Sequence, residues 1–289
     1  MDNLRGAALM VVSMLLFALE DMLIKIMAAA LPVGQIVGML GLGSALVLGI
    51  LLRLQGQALF TRQMRTPAIA LRAIGELVGT IGFVTAIALI PLSTASAILQ
   101  ATPLFVTLGA ALFLQEQVGW RRWTAISVGF IGVLLIIRPG LEGFSWQSLF
   151  ALMGVVGLGT RDLATRRVPA ATSSLHLSFW AFLVLIPAAA LMMWAGGTPF
   201  AMPSGRDFGI YLGAVMIGIA AYYSIVAASR LGEISFVTPF RYSRILFALV
   251  IGVWVFGENP DILTLLGAAV IVGSGLYTLW RERRRPARH

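Results

Sequence analysis

The amino-acid sequence predicts an all-α polytopic membrane protein with ten transmembrane helices, arranged as two inverted five-helix repeats. Three observations lead there. The chain of 289 residues is 59% hydrophobic and 11% charged, with a mean hydropathy of +0.92, whereas soluble domains are roughly 45–50% apolar and about 25% charged. A pattern recurs: PLFVTLGAALFLQEQVGWRRWTAISVGFIGVLLIIR (Pro103 to Arg138) is matched by RILFALVIGVWVFGENPDILTLLGAAVIVGSGLYTLWR (Arg244 to Arg281). Glu116 precedes Gly132 by 16 residues and Arg138 by 22, while Glu258 precedes Gly275 by 17 and Arg281 by 23. Each half also holds five apolar segments, and an odd number makes the halves enter the membrane from opposite sides.

A helix needs about 20 apolar residues to cross the ~30 Å hydrocarbon core. Such segments fall at 6–28, 33–53, 68–90, 93–115 and 120–138 in the first repeat (6–138). The second repeat (146–281) holds 147–167, 174–195, 208–229, 234–257 and 261–281. Turn residues separate them: Leu31-Pro32, Ile90-Pro91, Arg138-Pro139-Gly140, Gly196-Gly197-Thr198-Pro199 and Asn259-Pro260,. The first segment lacks a charged n-region and a small-residue cleavage site, so it reads as a retained helix. Residues 282–289 form a basic cytoplasmic tail.

Orientation follows from the loop cations. With the N-terminus inside, sixteen Lys and Arg fall on the inner side, only Arg138 and Arg206 fall outside, and Lys25, Arg241 and Arg244 lie within spans. This bias predicts that both termini are cytoplasmic. It also assigns the net charge of +9 to topology and the lipid bilayer rather than to nucleic acid. The sequence has no cysteine and only two histidines, His176 and His289, which leaves no thiol chemistry and points to no cofactor or metal. No G-x-x-x-x-G-K-[ST] phosphate loop and no G-x-S-x-G elbow is present, and His176 has no acidic partner in its own segment. An ATP-driven pump and a membrane-embedded enzyme are both disfavoured.

Ionisable residues inside a span each cost at least ~2.5–3.5 kcal/mol and mark function by default. In the first span, Asp21 and Lys25 share a face four residues apart, a spacing that suits mutual neutralisation, and Glu20 has no partner at helical spacing. Arg72 and Glu76 repeat the four-residue spacing in the third span, Glu76 being the deeper. Gln100 and Thr102 precede Pro103 in the fourth span. Arg161 and Asp162 stand side by side near the inner end of the sixth, about 100° apart around the helix, so pairing between them is not required. The ninth span carries Phe240, Arg241, Tyr242 and Arg244 after Thr238-Pro239. Pro239 removes a helix hydrogen bond, and two such deep arginines need anionic partners. Substrate binding or ion coupling is expected from these residues. Glu116 and Glu258 sit at segment ends and read as topological or packing residues. Phe17, Phe83, Phe105, Trp180, Tyr222, Tyr223, Phe236 and Trp254 are a reserve of flat surfaces. Small-residue spacings such as Gly75-Gly79-Gly82 and Gly154-Gly157-Gly159 predict close helix crossings.

The stretches Ala88-Leu89-Ile90-Pro91-Leu92-Ser93-Thr94-Ala95-Ser96-Ala97, Thr102-Pro103-Leu104-Phe105, Leu114-Gln115-Glu116, Thr238-Pro239-Phe240-Arg241-Tyr242 and Phe256-Gly257-Glu258 together resemble the EamA branch of the drug/metabolite transporter superfamily. The resemblance runs over essentially the whole chain. It implies two tandem five-helix domains around a cavity lined by segments 1, 3, 4, 6, 8 and 9, and a carrier of a small-molecule substrate working alone or as a homodimer. The Pro-Phe-Arg-Tyr stretch is similar to the subgroup of bacterial riboflavin importers and S-adenosylmethionine carriers. Riboflavin is therefore the first substrate expectation, with S-adenosylmethionine uptake or efflux of amino acids and toxic metabolites as alternatives. The chain departs from many relatives early in its second helix, where Gly38-Met39-Leu40-Gly41 carries no Arg.

Overall fold

A computed structural model describes residues 2–113, 120–140, 144–169, 172–231 and 237–283. Glu116, Phe236 and tail residues 284–289 lie outside the described residues. Among those described, eleven α-helices and two 3-10 turns account for the regular structure. They are α1 (Asp2–Met27), α2 (Val33–Leu54), α3 (Pro67–Leu89), α4 (Leu92–Leu99), α5 (Thr102–Phe113), α6 (Trp120–Ile137), α7 (Ser148–Thr165), α8 (Ser174–Ala195), α9 (Gly205–Leu231), α10 (Ser243–Phe256) and α11 (Ile262–Arg283). Among the described residues, six stretches are long and apolar enough to cross a membrane: Leu4–Met27, Val33–Leu54, Pro67–Leu89, Leu92–Phe113, Ser174–Ala195 and Gly205–Ile225. Trp123–Ile137 and Ile262–Tyr277 are shorter apolar helices.

The helices pack in a reciprocal pattern across the two halves. α1 lies mainly on α9 and α3 on α7, so the first helix of each half takes the third of the other. α2 packs on α8, α4 on α10 and α6 on α11, pairing equivalent helices. Glycines set the two tightest crossings. A Cβ at Gly75 would stand 2.6 Å from the Arg161 nitrogen and one at Gly82 would stand 2.7 Å from the Gly154 nitrogen, so α3 and α7 touch backbone to backbone. At the α6–α11 crossing, a Cβ on Gly132 would lie 2.8 Å from the Gly267 carbonyl, and one on Gly267 would lie 2.6 Å from the Gly132 carbonyl. With no hydrophobic drive between helices in lipid, such close approach and the dispersion contact it allows hold the bundle together.

The fourth span is not the single helix the hydropathy suggests. It breaks at Gln100–Ala101 between α4 and α5, because Pro103 has no N–H to offer the Leu99 carbonyl. The Thr102 hydroxyl donates to that carbonyl instead, at 2.6 Å. The equivalent span of the second half opens with a 3-10 turn, Thr238–Tyr242, before α10 begins. The Gln100 side chain crosses between the two interruptions and donates to the Arg241 carbonyl at 3.4 Å.

The corner between α3 and α4 is built from the far ends of the chain. Gly257 ends α10 in the left-handed region at φ 64°, with the Glu258 N–H returning to the Gly252 carbonyl at 2.9 Å. That turn sends the Glu258 carboxylate onto the start of α4. It accepts from the backbone N–H of Leu92 (2.5 Å) and Ser93 (2.9 Å) and from the Ser93 hydroxyl (2.7 Å). Pro91 supplies no capping side chain, so a carboxylate from the other half caps the helix and meets its positive end.

Candidate functional site

A cavity of about 210 Å³ lies between the halves. α1, α2, α3, α4, α5, α7, α8, α9 and the Thr238–Tyr242 turn with α10 supply its walls, and six charged side chains among the described residues line it: Glu20, Asp21, Glu76, Arg161, Arg241 and Arg244. Gln100 and Tyr242 line it as well. Apolar and aromatic residues, Met14, Phe17, Phe83, Phe182, Leu185 and Tyr222 among them, make up much of the rest.

On the α1 side, Asp21 does not take Lys25. Its Oδ2 accepts from Arg244 Nε at 3.2 Å and Nη2 at 2.7 Å, and the Arg244 guanidinium lies between the Phe17 and Phe83 rings, 5.1 and 5.3 Å from their centroids. A fixed guanidinium fork and two ring faces are a better match for a buried carboxylate than a flexible ammonium. Lys25 turns to the α3–α4 corner, donating to the carbonyls of Ile87 (3.0 Å) and Ile90 (2.6 Å) with Glu258 at 3.8 Å. The expected Asp21–Lys25 pair is thus replaced by Asp21–Arg244 and Lys25–Glu258. Glu20 faces the cavity against Gly218 and, among the described residues, makes no hydrogen bond or ion pair.

On the α3–α7 side the charges form a chain. Arg72 is buried and donates to the Thr165 hydroxyl (3.1 Å), the Leu177 carbonyl (3.0 Å) and the Tyr222 hydroxyl (3.4 Å), with Glu76 at 4.0 Å. Glu76 also accepts from Arg161 at 3.3 Å. Arg161 reaches Asp162 at 2.9 Å through Nε and 2.8 Å through Nη2, so these neighbours pair despite their offset around the helix. A guanidinium on a long stem closes a gap that the angle between adjacent residues leaves open. Arg241 ends the chain, 3.8 Å from Asp162.

The cavity therefore gathers Glu20, Asp21, Glu76, Gln100, Arg161, Arg241, Tyr242 and Arg244, with Asp162 paired behind the lining. Lys25 is at the α3–α4 corner. Phe240 lies in a separate apolar groove with Ile245, Leu246 and Leu265. The Tyr242 hydroxyl is buried against Gly275 without a hydrogen-bond partner among the described residues, so it is the ring that meets the cavity. Thr80, Ser178 and Phe182 line the cavity without having been singled out in the sequence; a lone Thr, Ser or Phe in an apolar span gives no signal of its own. His176 is structural. Its Nε2 donates to the Ala58 carbonyl at 2.8 Å, and its Nδ1 lies 2.8 Å from the Ser173 hydroxyl.

A bundle of apolar helices closed around a charged cavity, walled by both halves and beside two interrupted spans, is the build of a membrane carrier. The chain belongs to the EamA-like transporter family, whose model matches residues 4–138 and 145–280. It is 29% identical to a riboflavin transporter of Rhizobium johnstonii, over 74% of this chain and 70% of that one. It is 25% identical to an S-adenosylmethionine uptake transporter of Rickettsia bellii, over 74% and 72%. A pseudopaline exporter of Pseudomonas aeruginosa is 28% identical over 92% of this chain and 93% of its own. In fold, the chain matches a solved crystal structure with a TM-score of 0.61 at 17% identity, over 97% of this chain and 99% of the other.

Proposed function

We propose that this protein is a secondary transporter that moves a small polar or aromatic metabolite across a bacterial inner membrane by alternating access. One observation carries the reading: a cavity between the halves is lined by six charged side chains inside a bundle of apolar helices. A scaffold has no use for groups that each cost at least ~2.5–3.5 kcal/mol to place there, whereas a carrier uses them to replace a polar solute's hydration shell. Ten spans in two inverted repeats, with both termini cytoplasmic, is the topology that the loop cations and the reciprocal helix packing support. Relatives that are transporters support a role without catalysis.

Riboflavin is supported by the name of one relative and by the rings of Phe17, Phe83, Phe182 and Tyr222 in the walls. S-adenosylmethionine or an amino-acid derivative is the second reading, supported by the balance of acidic and basic groups in the same walls. The test is uptake of labelled riboflavin by cells that neither make nor import it. Uptake lost in Glu20→Gln at unchanged membrane level supports an importer with its site at α1. No uptake from protein shown to be folded in the membrane removes riboflavin and makes export the leading case.

A further inference from the structure

We propose that the cavity selects a solute carrying both a cationic and an anionic group, its cation seated at Glu20 and its anion at Arg241. This rests on the carrier reading above and narrows its substrate class. The charges of the site fall into two poles. On the α3–α7 side, the guanidiniums of Arg72, Arg161 and Arg241 face the carboxylates of Glu76 and Asp162, which leaves one positive charge in excess. On the α1 side, Glu20 and Asp21 face Arg244, which by formal charge leaves one negative.

The geometry identifies the group left over at each pole. Asp21 takes both hydrogen bonds of Arg244, and Glu20 is the carboxylate without a partner among the described residues. Asp162 is hydrogen-bonded by Arg161. Among the described residues, the one ion-pair partner of Arg241 is Asp162 at 3.8 Å, beyond hydrogen-bond distance, and its side chain is 36% exposed. Glu20 and Arg241 line the same cavity. A charge shielded from water without a partner is costly. A zwitterion relieves both poles in one binding event, a singly charged solute relieves one, and a neutral flavin relieves neither. Charge pattern thereby becomes the selectivity filter, and the aromatic walls accommodate whatever joins the two charged groups.

The test is solute counterflow, which is independent of driving ion and direction. Purified protein is placed in phosphatidylethanolamine–phosphatidylglycerol vesicles preloaded with unlabelled solute. The probes are S-adenosylmethionine, histidine and glutamine (both charges), decarboxylated S-adenosylmethionine (no carboxylate) and riboflavin (neutral). At least one zwitterion is expected to exchange. Its rate should fall tenfold or more in Glu20→Gln, and Arg241→Gln should erase the preference for the carboxylated form. Neither variant should lower the unfolding temperature, since the first is isosteric and removes an unpaired charge and the second loses only one long ion pair. Riboflavin exchange at equal rates in wild type and both variants, with no zwitterion moving, overturns the charge assignment and leaves the carrier intact. Exchange of none of these solutes by protein shown to be folded in the vesicles overturns this assignment.

Discussion

At the scale of single residues, a deeply placed ion pair depends on both of its members. Asp21 and Arg244 depend on each other across the bundle, so Asp21→Asn strands a guanidinium and should cost about 3–5 kcal/mol. The pair replaced together, Asp21→Asn with Arg244→Gln, should lose less than the two single losses added. Thermal unfolding in detergent across the double-mutant cycle reads both values. Tyr242→Phe should be neutral or slightly stabilising, because the hydroxyl it removes is buried with no partner among the described residues,. The same unfolding assay checks it, and a loss above about 1 kcal/mol would mean that the hydroxyl has a partner after all. The sequence showed which residues carry charge, because ionisable groups stand out in apolar spans. Their pairing was hidden: four-residue spacing suggested Asp21–Lys25, and nothing local marks a partner 223 positions away. Arg72 with Glu76 was legible because both lie on one helix.

At the scale of elements, this fold caps and crosses its helices with parts of other helices. Glu258→Ala should leave two N–H groups of α4 uncapped and deprive Lys25 of its anion, a loss of about 1–2 kcal/mol for the cap alone. Gly157→Leu should be worse, since the Gly157 position meets the Gly79 backbone directly. The helices must part, and folded yield in the membrane should fall sharply. The loop before α11 has its own pH dependence. Arg138 hydrogen-bonds Asp261, and with the Thr264 N–H at 2.8 Å it lowers the Asp261 carboxyl from 3.8 to about 2. A depressed carboxyl contributes stability that is complete above its ordinary value and is lost as pH falls through the depressed one. The unfolding-temperature gap between wild type and Asp261→Asn should therefore hold from neutral pH down to about 4 and close towards pH 2. Helix positions were readable from apolar length and turn residues. The break at Gln100–Ala101 was signalled by Pro103 but masked by the surrounding hydropathy, and capping of α4 from the opposite half left no local trace.

At the scale of the whole molecule, the loop cations and the packing pattern make a joint prediction about topology. The chain has no cysteine, so single cysteines report sidedness without background. A cysteine at Arg206 should react with an impermeant maleimide from outside intact cells, and one at Arg166 only after the membrane is opened. The reverse result would overturn the cytoplasmic placement of the termini. The duplication was visible because Glu, Gly and Arg recur in register, whereas the partner of each helix was not, since exchange of first and third helices is set by three-dimensional fit. That exchange has a consequence for how the protein is made. When the ribosome has released only α1 to α6, α1 and α3 sit in the bilayer with their polar faces bare, for Arg244, Arg161 and α9 do not yet exist. The half-finished chain should then be open to membrane proteases, and the two halves, produced as separate polypeptides in one cell, should rescue each other from degradation.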